Sequence, residues 1–384
     1  MKNLLSLSLF ALVIIFSGCS KNSGNVNPKK TDTTTTITTG TISGGTGVYI
    51  AGYEAFYKGA DTLTVVSANV PNVAKVWKNG KAVNLTDGKY DAEATAVYAN
   101  TTDVYVAGYE KNSAGFKVAT VWKNGVAGRL GDGKEDSYAN SITVDGTNVY
   151  VAGNVVGSSV TVGTLWKNGT GSALANCEAA NSVAVYGGKV YVCGSDNDII
   201  PNLWVNGTAT KLLGAGVGVP NYIAIAANGE RYIAGDFENN GTVAGYWNNE
   251  KFKLLGNIPG EGYGSGEIKS VATDGADVYL LGFNDLGPVL WKNEVPKQVY
   301  FNADPAPGDK TYYGNSLIGV AKSTDVLMTG WRTSSVVGSY THNVDRPLLW
   351  TNTTGSLLDN GDSDAIKKVY PITGGKANAI CVVK

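Results

Sequence analysis

One phrase recurs seven times along the chain, and no other feature constrains the fold as tightly. It reads VYIAG at 48–52, VYVAG at 104–108 and 149–153, VYVCG at 190–194, RYIAG at 231–235, VYLLG at 278–282 and VLMTG at 326–330. A second phrase follows each copy: VWKNG at 76–80 and 121–125, LWKNG at 165–169, LWVNG at 203–207, YWNNE at 246–250, LWKNE at 290–294 and LWTNT at 349–353. A third precedes the first, as in ANSITV at 139–144 and ANSVAV at 180–185. Short turns such as Asp145-Gly146-Thr147-Asn148 separate the third phrase from the first. Two residues after each repeated Trp stands an Asn, followed by Gly in four copies, the strongest short hairpin signal. The unit therefore reads strand, tight turn, strand, loop, strand, Asn-Gly turn, strand, connection. Four antiparallel strands repeated at a period of roughly 40–50 residues predict one blade of a β-propeller per unit.

The ends of the repeat fix the expected count. The series opens on a second strand at Val48–Gly52 and closes on Ala377-Asn378-Ala379-Ile380-Cys381-Val382, which copies the first-strand phrase. The sequence thus predicts an all-β, seven-bladed β-propeller, four antiparallel strands per blade, with the first blade closed by the C-terminal strand. Sharing both termini in one blade would remove an open sheet edge. Residues Thr38–Ser43 are a further candidate β segment beside that blade. Seven of the eight tryptophans belong to the repeat, so they are expected between blades and not as a stacking ladder for sugar.

Composition agrees and excludes several functions. Gly is abundant at 50 residues in 384, and charged residues make up only 16%. The formal net charge of −1 offers no field for nucleic acid or an anionic membrane surface. The single histidine, His342, weighs against histidine-dependent catalysis and against a multi-histidine metal site.

The N-terminus predicts export. Met1-Lys2-Asn3 precedes an apolar run from Leu4 to Phe16 and then Ser17-Gly18-Cys19-Ser20, the layout of a signal peptide. Small residues before a Cys resemble the bacterial lipobox, which implies lipidation of Cys19 and removal of residues 1–18. Ser20 after that Cys implies, by the same resemblance, an outer-membrane address. Residues 19–46 are then the lipidated Cys with a flexible Thr-rich tether, and 47–384 are the propeller. The lipid bilayer, through Cys19, is the one partner so implied; a monomeric domain with no nucleic-acid partner is expected.

Function is expected on the face that carries the loops between second and third strands and the connections between blades. Beyond its Gly, each second strand presents a different pair: Tyr53-Glu54, Tyr109-Glu110, Asn154-Val155, Ser195-Asp196, Asp236-Phe237, Phe283-Asn284 and Trp331-Arg332. The longest loops belong to blades six, seven and one, adjacent around the expected ring. A ligand site for glycan or peptide is therefore predicted from Tyr53, Glu54, Tyr57, Tyr109, Phe283, Tyr312, Trp331, Arg332, His342 and Arg346. No catalytic residue, cofactor or metal is assigned. The segments 87–91, 132–136 and 359–364 lack the ligand spacing of an EF-hand and read as repeated turns. Glu93, Asp136, Glu178 and Glu267 precede first strands near the channel mouth, where paired carboxylates would suit glycoside hydrolysis. Cys177 and Cys193 share a blade, but turn register sets Ser182 opposite Cys193, which disfavours a disulfide.

The series (V/L)-W-K-N-G, A-N-S-(I/V) and V-Y-V-A-G resembles the extracellular HAF-type repeats of bacteria, although the His-Ala-Phe phrase itself is absent. With the lipobox, the resemblance implies a lipoprotein of Bacteroidota type and carries no activity. Three functions stand at this point: an envelope-anchored, non-catalytic binding protein; an interaction scaffold in an envelope complex; and a carbohydrate-active enzyme using carboxylates at the channel mouth.

Overall fold

The computed structural model describes residues 37–56, 71–214, 216–238, 242–255, 267–284, 287–298, 310–319, 326–336, 342–351, 354–357 and 372–383. The chain is an all-β propeller of four-stranded antiparallel sheets. Among the described residues the strands form seven such sheets, each ordered first to fourth strand. The blade of Val48 pairs Ile372–Val383 with Gly47–Phe56, then Asn72–Lys78, then Lys81–Asn84. Its C-terminal strand aligns antiparallel to the Gly47–Phe56 strand, with Val382 opposite Val48 and Ile380 opposite Ile50. We number this blade one. Blades two to seven follow as 92–129, 136–173, 179–211, 217–254, 267–298 and 310–357. First strands touch their counterparts in neighbouring blades and line the axis. Fourth strands such as Val126–Arg129 and Thr208–Lys211 are exposed along their whole length.

The repeated Tyr and Trp meet between blades. Tyr49 of blade one shares a buried cluster with Trp122 of blade two, Tyr105 with Trp166, Tyr150 with Trp204, Tyr191 with Trp247 and Tyr232 with Trp291. Leu327 of blade seven packs with Trp77, Ala377 and Ile380 of blade one. The residue after each Tyr points to the opposite face of its blade, as strand alternation requires, so one phrase serves two interfaces. Trp77, Trp122, Trp204 and Trp247 are fully buried, and truncating any of them to alanine should cost about 3–5 kcal/mol.

The Asn of the WxN phrase closes the hairpin at both ends. Asn79, Asn124, Asn168, Asn206, Asn249 and Asn293 all have φ between 45° and 53°. Each backbone N–H donates to the residue that opens the second strand, and each Oδ1 accepts that residue's N–H, as at Asn168 and Val149. Asn tolerates the left-handed conformation and can form both bonds, which explains why Asn stands there in all seven copies.

Residues 37–46, expected at the end of the tether, are packed on the propeller. Gly40 N–H donates to Asn84 O, Ile42 N–H to Asn124 O, and Gly44 N–H to Thr102 O. Ile42 is buried with Leu85 and Trp122, and Lys78 Nζ donates to the carbonyls of Ser43 and Gly44. This strap bridges blades one and two without forming a strand. The rest of the expected tether, with Cys19 and the signal peptide, lies outside the described residues.

Candidate functional site

A bulge in every first strand positions the channel wall. Register slips by one residue at Thr95, Asn140, Asn181, Asn221, Lys269, Asn315 and Asn378. Opposite each bulge stands the Gly that ends the VYxxG phrase. A Cβ on Gly108 would lie 1.9 Å from Glu93 O, on Gly153 1.9 Å from Tyr138 O and on Gly194 1.7 Å from Ala179 O. The bulge drives a carbonyl into the space a side chain would fill, so Gly is required there by close approach. The bulged side chain then clasps the next blade. Asn378 Nδ2 donates to Ala94 O, Thr95 Oγ1 to Ala139 O, Asn140 Nδ2 to Ala180 O and Asn181 Nδ2 to Pro220 O. The ANS phrase is thus an inter-blade clasp.

Blades five and six break the series. Asn221 Nδ2 turns to Asp236 Oδ2 at 3.0 Å, and Lys269 Nζ reaches the same oxygen at 2.8 Å. Asp236 Oδ1 is buried with no hydrogen-bond partner. An ion pair replaces the amide clasp at this one junction among the described residues.

The predicted site residues divide three ways. Tyr53 and Glu54 do not lie on a rim: the second strand of blade one runs on to Phe56, with Tyr53 opposite Ala74 and Glu54 opposite Val73. Glu54 is fully buried, in an ion pair of 2.7 Å with the equally buried Lys75. That pair has a structural role, and removing one partner would leave a buried charge, at about 3–5 kcal/mol.

Tyr109 is also buried, at a junction of blades one, two and three. Its hydroxyl donates to Asp91 Oδ2 at 3.1 Å, its ring packs edge-on against Tyr138, and Lys117 Nζ sits 4.4 Å above it. Asn72 Nδ2 donates to Glu93 Oε1 at 3.2 Å and Asn72 N–H to Asp91 Oδ1. Burial pushes the Glu93 carboxyl above its ordinary value of 4.5; hydrogen bonding from Tyr109 opposes this, and the Asp91 charge adds to it. Burial raises the Tyr109 phenol as well, with the Glu93 and Asp91 charges in the same direction.

The remaining predicted residues are placed by backbone register alone. Arg332 stands between Tyr312 and Arg346 on adjacent strands of blade seven, Trp331 between Tyr313 and Pro347, and His342 opposite Val336. Phe283 lies opposite Glu267 and Pro288. Tyr57 and the segment 359–364 lie outside the described residues. The structure therefore brings Tyr312, Arg332 and Arg346 to one row, and sets Tyr53, Glu54 and Tyr109 within other blades. Phe237, from the second-strand pairs, is fully buried edge-on against Trp247.

The face of loops and connections carries a cleft elsewhere, between blades three and four. It encloses about 410 Å³ and is lined by Gly157, Ser158, Ser159, Val160, Thr161, Glu178 and Asn197. The Ser-rich loop turns back through Gly157 N–H donating to Val160 O, and Glu178 is held by its N–H on Ser195 O. Its walls offer hydroxyls, one amide and one carboxylate, and no aromatic ring.

Among the described residues, the loop beyond Asn197 holds the least expected conformation. Ile199 has φ of 58°, a left-handed backbone that a β-branched residue adopts at a cost of about 1–3 kcal/mol. Asp196 enforces it: Oδ1 accepts from Asp198 N–H and Ile200 N–H, its carbonyl accepts from Ile199 N–H, and Oδ2 accepts from Asn202 Nδ2. Ile199 O accepts from Gly218 N–H of blade five at 3.0 Å. The Ile199 side chain is half exposed, so core packing is not what keeps it there. Asp196 and Glu178 stand out in the sequence as acidic groups on this face; nothing there marks Ile199, because Gly or Asn is the signal for such a turn.

Cys177, Cys193 and Cys381 are free thiols, and Ser182 stands opposite Cys193. Burial pushes the Cys177 thiol up to about 12 and raises the Cys193 thiol as well, which disfavours the thiolate at both. Asp87 Oδ1 and Asp132 Oδ1 accept N–H bonds from Lys89 and Lys134, which makes those acidic segments side-chain-capped turns.

No family model and no curated protein matches the chain. Among solved structures, a Mycobacterium tuberculosis puromycin-hydrolyzing peptidase is similar over 77% of this chain and 50% of its own, at 10% identity and a TM-score of 0.48. The SapL1 lectin in complex with alpha methyl fucoside is similar over 69% of this chain and 95% of its own, at 12% identity and a TM-score of 0.39. The Bacteroides ovatus xyloglucan PUL GH43B is similar over 70% and 57%, at 14% identity and a TM-score of 0.35. This chain thus spans half the length of the first of these, and the fold assignment rests on its own sheets.

Proposed function

We propose that this protein is an envelope-anchored binding protein that holds a small polar or peptide ligand on the loop-bearing face of a closed seven-bladed ring. The observation that carries the reading is the cleft at Ser158, Ser159, Glu178 and Asn197: its hydroxyls, amide and carboxylate form a polar recess on loops borne by a rigid scaffold. The ring is completed by the C-terminal strand. Support for that comes from the Val48–Val382 register, the Leu327–Trp77 cluster and the Asn378 clasp on blade two. Lipidation at Cys19, with the segment before residue 37 as leash, would hold the disc at the outer membrane.

The cleft is tested by filling it. Purified protein is screened against oligosaccharides and short peptides, and every ligand found is re-measured on Ser158→Trp and Ser159→Trp. Loss of binding without a change in thermal stability supports the reading. Ligands that bind both variants unchanged, or no ligand in the screen, would contradict it. The anchor is tested separately by metabolic labelling with palmitate: label should be lost in Cys19→Ser.

Catalysis on carbohydrate is a second reading, favoured by one observation: the raised Glu93 carboxyl beside Asp91 at the Tyr109 junction. Release of reducing sugar that disappears in Glu93→Gln would support it.

A further inference from the structure

The strap at 37–46 replaces a group that other blades draw from their own strands. In blade two the Tyr105 hydroxyl and the Lys123 ammonium share Asp103 Oδ2, at 3.4 and 3.3 Å, and Lys123 Nζ sits over the Tyr105 ring. In blade six Tyr279 and Lys292 share Asp277 Oδ2 in the same arrangement, at 3.4 and 2.7 Å. The acid stands two residues before the Tyr in both blades, and in blade one that position is Gly47. Tyr49 and Lys78 keep the arrangement, with Lys78 Nζ 5.3 Å from the centre of the Tyr49 ring. Their acceptors are carbonyls of the strap. The Tyr49 hydroxyl donates to Gly45 O at 2.7 Å, and Lys78 Nζ donates to Ser43 O at 3.0 Å and Gly44 O at 2.9 Å. Three carbonyl oxygens of one segment thus stand where a carboxylate stands elsewhere.

The receiving surface is shaped for this segment. A Cβ on Gly44 would lie 2.4 Å from Asn100 O and 2.5 Å from Asp103 N, so any side chain there meets backbone. A Cβ on Gly125 would lie 2.3 Å from Gly40 O. Blade two holds that surface by its own bonds: Asn100 Oδ1 accepts from Thr102 N–H and Asp103 N–H, and Asn124 Nδ2 donates to Asp103 Oδ1. The strap belongs to no sheet and joins the Gly47–Phe56 strand through Gly45, at φ of 113°, and Thr46. Its two ends lie on opposite faces of the disc. Ile37 Cδ1 reaches Gly88 in the connection from blade one to blade two, and Gly45 N–H donates to Asn100 O at the turn between strands.

We propose that residues 37–46 are a latch that opens as one unit about Gly45–Gly47 and is keyed shut by Lys78. Closed, the latch bolts blade one to blade two and brings the chain out beside Gly88, on the face of loops and connections. Open, the chain leaves the ring at Gly47, on the opposite face, and the sheets persist. Lys78 is a positioning residue in this device. The latch is independent of the ligand reading; only its bearing on a leash from Cys19 rests on the anchoring proposed above.

Hydrogen–deuterium exchange on the full-length protein tests the latch through Lys78→Met, Lys78→Arg and Gly44→Ala. Lys292→Met, which removes the partner of Asp277 in blade six, is the control. Loss of the charged donor, or of the close fit at Gly44, should speed exchange at 40–45 about tenfold or more and leave the blade-one strands unchanged. Lys78→Arg should restore most of the protection, since it returns a cation to the carbonyls. Lys292→Met should leave 40–45 as in the parent. Unchanged exchange at 40–45 in Lys78→Met would overturn Lys78 as the key, as would an equal rise in Lys292→Met. Exchange that rises together at 40–45 and in Gly47–Phe56, in both Lys78→Met and Gly44→Ala, would overturn opening as a unit. Palmitate label retained in Cys19→Ser would remove the leash and leave the latch standing.

Discussion

At the scale of single residues, the repeated Gly and the repeated Asn are two halves of one device. The bulge at Asn140 pushes Tyr138 O to where a Cβ on Gly153 would lie, and the displaced Asn140 side chain then reaches Ala180 O of the next blade. Gly153→Ala should therefore destabilise by about 3 kcal/mol, the upper end of ordinary overpacking, because the obstacle is backbone. Gly146, at a turn with open space around its Cα, serves as the control and should lose only about 1 kcal/mol. Denaturant unfolding of both variants checks the difference; equal losses would remove the bulge as the cause. The Gly and the Asn were both legible as repeated letters, but their coupling was not, because the bulge that joins them lies across two strands. Ile199 was illegible for a further reason: its conformation is imposed by Asp196, and its own side chain disfavours it.

Glu93 belongs at this scale as well. Its carboxyl binds its proton more tightly folded than unfolded, so it contributes stability below the ordinary value of 4.5. That contribution is lost as pH rises through the elevated folded value. Glu93→Gln should flatten stability over that window and show its gain towards neutral pH. Melting temperatures from pH 4 to 8 check it, and a parallel pH profile in the variant would show that Glu93 contributes nothing to it.

At the scale of elements, each tight turn is built from the repeat letters and each loop departs from them. The Asn turns and the Tyr–Trp contacts follow from sequence because each depends on residues at fixed spacing. The strap at 37–46 does not follow from sequence, since its Thr and Gly residues resemble the tether before them and only backbone bonds to Asn84, Asn124 and Thr102 distinguish it. The same limit applied to Tyr53 and Glu54. A strand that runs four residues past its Gly carries them out of the loop, and the ion pair with Lys75 shows only in three dimensions. The C-terminal strand bears the clearest consequence. Deleting residues 372–384 would remove Ala377 and Ile380 from the Trp77 cluster and expose the edge of Gly47–Phe56. Such a chain should lose its cooperative transition and self-associate, as light scattering on heating would show. A soluble, cooperatively melting truncation would contradict closure by this strand.

At the scale of the whole molecule, the Tyr–Trp interfaces repeated between the described blades leave the face of loops and connections free to vary. Its elaborations are not evenly spread. The row of Tyr312, Arg332 and Arg346 in blade seven follows the long loops that sequence singled out, whereas the cleft and the Ile199 loop sit over blades three to five, where the loops are short. Loop length was readable; the charge, the shape and the strain that a short loop can hold were not. Hydrogen–deuterium exchange with and without a ligand found in the screen of oligosaccharides and short peptides tests the placement most directly. Protection is expected at 157–161 and 196–200, and none at the Asn-Gly turns of the opposite face. Protection confined to those turns, or to blade seven, would contradict the assignment of the ligand site to the cleft between blades three and four.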